Sequence, residues 1–310
     1  MLGLGPQAAS KTGSPSAPSE AANGSRVWPF SLPRRPAWWW IGIYAAVNVP
    51  LIVWTLYVNL FVHPIPPDWW ILSSIPDRLR EGDLYAAEGY FRWSPVGAWA
   101  VAAIVPIGLT GWVALHAAAL LFVRDARMIL LILLSWGFWM DVSTGNLFTL
   151  VFIAGLLALR GSAIATVAYF ALSLVMPRPI QLPLLAWLLW KRPAMRLPFV
   201  GVTLVHTALV MLSGYGEDWI AVLISTSPSE SSLPFPINTA PSAFVGPVVW
   251  LVVAVPLAAW LFARGRVGWA SLALSPYWLA QYWMMPLLDL ADRAVSKQRS
   301  AIADPPRLRG

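Results

Sequence analysis

Residues 63–95 read HPIPPDWWILSSIPDRLREGDLYAAEGYFRWSP and carry Asp68, Asp77, Glu81, Asp83 and Glu88 with Arg78, Arg80 and Arg92. Five of the fourteen carboxylates of the chain therefore fall in one stretch. A carboxylate within hydrogen-bond reach of a hydroxyl can act as a general base. Asp68 is the leading candidate. It follows Pro66 and Pro67, at or near the N-cap of a predicted helix, where the helix dipole favours the ionised form. Two readings stand side by side: a base, or a helix cap only. Asp83 and Asp141 are reserve candidates. Arg178 lies between Pro177 and Pro179, where two short apolar runs meet. An arginine at membrane depth is costly and commonly functional, and its planar fork suits phosphate. The alternative is an arginine snorkelling to the interface. Arg92 is a second phosphate candidate. Trp69, Trp70 and Trp93 offer faces on which a ring can stack, or anchors at a membrane interface.

The elements that must hold these residues are apolar. The chain has 310 residues, of which 58% are hydrophobic and 11% charged, with mean hydropathy +0.64. Soluble domains carry about 25% charge, so the composition predicts a polytopic, all-α membrane protein. The net charge of +7 follows from where the basic residues fall at the inner ends of spans, and no nucleic-acid partner is expected. There is no cysteine, so disulfides and thiolate metal sites are excluded. His63, His116 and His206 are scattered without zinc-ligand spacing, and there is no Walker loop, GxGxxG or HExxH motif. No metal and no cofactor is expected. Residues 1–33, rich in Ser, Ala, Pro and Gly, predict a disordered tail without the apolar core of a signal peptide. Residues 293–310 form a polar C-terminal tail.

The apolar runs alternate with polar joints. Trp38–Val62 leads to the charged loop, Val96–Val123 returns, and seven further runs follow: Met128–Met140, Leu147–Leu159, Ala163–Met176, Ile180–Trp190, Leu197–Leu212, Ala243–Ala263 and Val267–Leu288. About eight to ten membrane helices in a single domain, 34–292, are expected. With Arg34 and Arg35 fixing the N-terminus in the cytoplasm, inner joints hold ten Lys or Arg against one acid, Asp125, and outer joints hold nine acids against four bases. This is the asymmetry the positive-inside rule demands, and it places loop 63–95 outside the cell membrane. The basic C-terminal tail disagrees with nine crossings, and its side stays open. Four middle runs of 11–14 residues reach at most about 21 Å, short of a hydrocarbon core of about 30 Å. Such helices survive when packed in protein or lining a wet cavity, so the middle of the chain is expected to surround a cavity open outward. In the loop, Trp69, Leu72, Ile75 and Leu79 recur at helical period with charges opposite, predicting an amphipathic helix on the membrane surface.

In order and spacing these motifs resemble glycosyltransferase family 87, the polyprenol-phosphate-sugar-dependent transferases of the GT-C superfamily, which include mannosyltransferases. The similar residues are Asp68, Gly82-Asp83-Leu84-Tyr85, Trp93-Ser94-Pro95, Thr144-Gly145-Asn146, Met176-Pro177-Arg178-Pro179 followed by Lys191-Arg192, Asn238 to Ser242, and Ser275-Pro276 with Gln281-Tyr282. The similarity covers roughly residues 38–290. Arg178 stands where the family often has lysine, which keeps the charge. Gln281 stands where the family often has histidine, and a glutamine cannot take up and release a proton as a histidine does.

The resemblance implies an inverting transfer of a sugar, mannose by analogy, from polyprenyl phosphate to a lipid or glycan acceptor on the outer face. Asp68 would be the base, Arg178 and Arg92 would hold the donor phosphate, and Tyr85, Trp93, Asn146, Gln281 and Tyr282 would contact substrate. No Asp-x-Asp pair stands in any joint, which fits a donor whose phosphate is carried by a lipid. The alternatives are a non-catalytic lipid-glycan-binding membrane protein, which Gln281 favours, and a transporter.

Overall fold

A computed structural model of the chain describes residues 38–62, 67–85, 91–231 and 239–290. The expected tails, Arg34, Arg35, His63, Glu88 and Asn238 lie outside the described residues. Every regular element described is helical. In order they are α1 Trp38–Tyr57, α2 Pro67–Glu81, α3 Pro95–Ile104, α4 Gly108–Leu121, α5 Ala126–Leu133, α6 Trp136–Thr144, α7 Phe148–Leu159, α8 Ala163–Val175, α9 Leu182–Lys191, α10 Arg196–Leu212, α11 Gly216–Ser231, α12 Ser242–Val245, α13 Pro247–Ala263 and α14 Val267–Leu274. A 3-10 segment, Ala280–Leu287, follows.

Three helical stretches are long and apolar enough to cross a membrane: Trp39–Tyr57, Pro95–Leu121 (α3 and α4 through a 3-10 turn) and Pro193–Leu212. The pair α5 and α6, bent by 66° at residues 134–135, makes a fourth if it crosses as one. These long stretches are apolar yet open on their outer faces. Trp54 is 66% exposed, Leu121 76% and Leu212 82%. Apolar surface on this scale is stable in lipid and costly in water. The protein is therefore a helical membrane protein.

The short α7 sits at the centre. Ten of its twelve residues are buried, and it packs on α8, α4, α6 and α9. A helix apolar all round must be covered on every side, and here protein does the covering. α1 and the π-helical turn that continues it, Val58–Val62, dock on α6 through polar side chains: Trp136 Nε1 donates to Thr55 Oγ1 at 2.8 Å and Asn59 Nδ2 to Ser143 Oγ at 2.8 Å. Hydrogen bonds of this kind join helices where lipid offers no competing partner.

One polar joint and one apolar run differ from their readings. Ser213–Ser242 contains a helix, α11. Val267–Leu288 is not one helix: α14 stops at Leu274, the chain runs non-helically through Ser275–Leu279, and the 3-10 segment follows. Pro276 and Pro286 remove backbone donors there. The break is held from both sides. Asp289 Oδ1 accepts Gly268 N at 2.6 Å, capping α14, and Thr239 N donates to the Trp278 carbonyl at 3.0 Å.

Candidate functional site

α2 lies over the bundle against α3 and α6. Leu72 and Ile75 are buried, while Asp77 and Arg80 form an exposed ion pair at 2.7 Å. The inward face is the predicted apolar one. Asp68 is the second residue of the helix, facing the end of α6. There Thr144 closes α6, Gly145 turns the chain with φ +85°, and Asn146 follows. A Cβ on Gly145 would lie 2.6 Å from Trp69 Cβ and 2.8 Å from Trp69 N. A bare backbone at 145 is what lets the first turn of α2 approach. Asn146 Nδ2 then donates to Asp68 Oδ2 at 3.0 Å.

Asp68 lines a cavity of about 250 Å³ with Arg92, Trp93, Asn146, Arg178, Gln281 and the apolar Ile71, Leu72, Phe91 and Leu279. Six residues singled out in the sequence thus converge from five separate parts of the chain. Asp68 is half-buried on the cavity wall. Burial pushes its pKa up, against hydrogen bonds from Asn146 and Thr144 and the Arg178 charge, with Asp141 adding a smaller push upward. The helix-dipole expectation of a favoured carboxylate is therefore outweighed by desolvation. A raised carboxyl is a stronger base once ionised, which suits proton abstraction.

Arg178 reaches the cavity from the turn between α8 and α9. Its Nη1 donates to Tyr282 Oη at 2.8 Å, and the guanidinium lies 5.7 Å from the centre of that ring. Tyr282 is fully buried and packs at 4.9 Å on Phe148 of α7. It stands behind Arg178 and away from the cavity surface. Tyr85 is likewise behind the wall. Its hydroxyl donates to the Trp93 carbonyl at 2.7 Å, and burial keeps the phenol protonated well above its usual range. The Phe91–Ser94 strip is pinned from other sides too. Trp219 Nε1 donates to the Arg92 carbonyl at 3.2 Å, and Ser94 N donates to the Val175 carbonyl at 2.8 Å. His206 Nε2 lies 3.0 Å from Ser94 Oγ.

The reserve acids lie elsewhere. Asp83 is exposed beyond the end of α2. Asp141 is fully buried, and its carboxylate accepts Phe148 N at 3.1 Å and Thr149 N at 2.6 Å. It caps the first turn of α7, an anion at a positive helix end. Trp69 packs edge-on against Trp112 at 5.2 Å, and Trp70 points outward at 57% exposure.

A second, more apolar cavity of about 540 Å³ lies beside the first, lined by Leu51, Trp54, Thr55, Val58, Asn59, Trp136, Met140, Thr239 and Ala280 and by the shared Leu279 and Gln281. Leu279 and Gln281 belong to the walls of both cavities. Sequence reasoning missed this chamber. Thr55 and Asn59 inside the first apolar run were its available signal, since polar residues within a span face protein or a cavity.

Among the described residues no group of His, Asp and Glu could hold a metal ion. Comparison of the chain with protein-family models, with curated proteins and with solved structures finds no match.

Proposed function

We propose that the protein is a membrane glycosyltransferase that moves a sugar, mannose by the motif resemblance, from a polyprenyl-phosphate donor to a lipid or glycan acceptor, with Asp68 as general base. One observation carries the reading: a single carboxylate, two guanidinium-bearing side chains and a tryptophan share one cavity that adjoins an apolar chamber. The acceptor hydroxyl oxygen attacks the anomeric carbon as the bond from that carbon to the donor phosphate breaks. The hydroxyl proton passes to Asp68, and the departing polyprenyl phosphate is met by Arg178 and Arg92. Asp68 is the one acid on the wall among the described residues, which suits a single displacement with inversion rather than a carboxylate nucleophile and a separate acid. The apolar chamber suits the donor's hydrocarbon chain. In the same reading the short helices cross as part of a GT-C-like bundle of about eight to ten membrane helices, with the N-terminus cytoplasmic and the cavity extracytoplasmic.

The test is transfer of radiolabelled sugar in membranes holding the chain, with polyprenyl-phosphate-mannose as donor and a lipid extract as acceptor, beside Asp68→Asn. Label entering a new product with wild type alone is the expected result. Turnover in the variant removes Asp68 from the role. A second reading, donor binding without turnover, is favoured by Gln281, which is buried on both cavity walls and has no titratable proton. It predicts that labelled donor is retained and that no product forms across several sugars.

A further inference from the structure

Beneath the Asp68–Asn146 contact lies a fully buried histidine, His116 of α4. Its Nδ1 is 2.9 Å from the Trp112 carbonyl oxygen, and its Nε2 is 2.9 Å from the Asn146 carbonyl oxygen and 3.5 Å from Asp141 Oδ2. Every polar atom met by either ring nitrogen is an oxygen that accepts. A neutral imidazole has one N–H and one bare nitrogen. Either neutral tautomer would point a lone pair at a carbonyl oxygen at hydrogen-bond distance, buried from water. Only the doubly protonated ring satisfies both contacts. Its positive charge then needs a buried partner, and Asp141, also fully buried, supplies it.

From this geometry we propose that His116 is an imidazolium paired with Asp141, and that the pair is the positioning device that seats Asn146 against Asp68. The Asn146 carbonyl accepts from His116 Nε2 and from Trp112 Nε1 at 3.3 Å. The Asn146 side chain is turned by its own Oδ1, which accepts Leu147 N at 2.8 Å, so that Nδ2 points at Asp68. Asp141 fixes the same corner from the other side by capping α7 through Phe148 and Thr149. The charged groups facing this corner are few. α7 carries no ionisable side chain, and α2 meets α4 through Trp69 on Trp112. Asp68 and Arg178 lie beyond Asn146, on the cavity. His116 touches no substrate in this arrangement. The catalytic consequence rests on the reading of Asp68 as the base; the charge state of His116 and the seating of Asn146 do not.

The experiment is ¹⁵N NMR of the full chain, labelled at histidine and held in lipid nanodiscs at about pH 8, where a solvated histidine is neutral. The chain has three histidines, so the His116 signal is identified as the one surviving in His63→Gln and His206→Gln and lost in His116→Gln. Two protonated nitrogens are expected; one bare nitrogen overturns the charge assignment. The pair is tested by a cycle. His116→Gln strands a buried carboxylate and Asp141→Asn weakens the α7 cap, so each is expected to lower the melting temperature, and His116→Gln/Asp141→Asn is expected to cost less than the two losses added together. Additive losses overturn the pairing. Positioning is read from the Asp68 carboxyl itself by ¹³C NMR titration. Because Asp141 itself pushes Asp68 upward, the double variant is compared with Asp141→Asn: with Asn146 loosened, its Asp68 midpoint is expected to lie above that of Asp141→Asn, and a midpoint equal to that of Asp141→Asn overturns the positioning role. These readouts need no turnover, so an absence of sugar transfer in wild type counts against the proposed function and leaves them intact.

Discussion

Asn146 and Asp68 are 78 positions apart in the chain, and the amide of one donates to the carboxylate of the other at 3.0 Å. This hydrogen bond joins the surface helix α2 to the corner between α6 and α7. It favours the ionised form of Asp68 in a setting where burial favours the neutral one. Asn146→Ala removes that help and leaves the desolvation in place. The Asp68 pKa then rises further, and the acid limb of the rate–pH profile moves to higher pH. On the acid side of the wild-type midpoint the rate is expected to fall by about tenfold, the worth of one hydrogen bond to a charged group, and to recover toward the alkaline side. An equal loss at every pH rejects the assignment, because it would mean lost geometry rather than a shifted titration.

Asp68 itself predicts an exchange of stability for activity. Unfolded, its carboxyl titrates near 4 (about the value of a free aspartate); folded, burial raises it. The folded state then binds the proton more tightly than the unfolded state. The contribution favours folding at acid pH and is lost as pH rises through the raised folded value. Asp68→Asn keeps an acceptor for Asn146 Nδ2 and removes the desolvated charge. At neutral pH it is expected to melt no lower than wild type while transfer is abolished. The wild-type rate should fall on the acid side with a midpoint above about 4. A variant that melts well below wild type at neutral pH would contradict this account.

Much of this corner is legible in the sequence because local rules place it. The period of Trp69, Leu72, Ile75 and Leu79 gives α2 and its buried face, the prolines around Arg178 give the turn that carries it, and the apolar runs give most helix bounds within a few residues. What depends on contacts distant in the chain is not legible. Asp141 reads as an acid in a polar joint, and only the fold shows it spent on the first turn of α7 and on His116. Tyr85 and Tyr282 read as substrate contacts, yet their hydroxyls face Trp93 and Arg178. The break after Leu274 is signalled by Pro276, but the apolar run across it outweighs that signal in a hydropathy reading. α11 is hidden because its sequence is polar and weakly periodic.

Gly145 offers a test of how closely α2 must seat. Alanine there meets two obstacles: a backbone with φ +85° and a Cβ within 3 Å of the Trp69 backbone. Gly214→Ala is the matched control, with φ +77° and nothing within 4 Å of the added carbon. Both variants carry backbone strain of about 1–2 kcal/mol. Gly145→Ala alone should displace Asp68, costing further melting temperature and at least tenfold in rate. Equal behaviour of the two variants would show that the approach of Trp69 is not needed.

Arg178 is held by Tyr282 as a preorganised fork. Arg178→Gln is expected to raise KM for the donor about 10- to 100-fold, the range of one lost charge-assisted bond. Arg178→Lys should restore part of it, since the charge survives and the fork does not. Tyr282→Phe removes only the phenol that steadies the guanidinium, and an increase of several-fold is expected. The three variants should rank in that order in donor KM. If Tyr282→Phe costs as much as Arg178→Gln, the phenol contacts the donor directly.

The outward apolar faces predict a sharp sign difference between lipid and water. Leu204 lies midway along the Pro193–Leu212 stretch and is 65% exposed. On a water-facing helix, Leu204→Arg would be harmless, because an exposed arginine is a good helix former and well solvated. At the centre of a lipid-facing span the same change costs roughly 2.5–3.5 kcal/mol of insertion free energy. Leu204→Arg is therefore expected to reduce the membrane-integrated fraction and to lower the melting temperature in nanodiscs, while Leu204→Ala and Glu81→Arg, the latter on the exposed face of α2, leave integration unchanged. The contrast is read by carbonate extraction of membranes beside the melt. Normal integration and melting of Leu204→Arg would mean that this face meets water rather than lipid, and would overturn the reading of this stretch as a lipid-facing span.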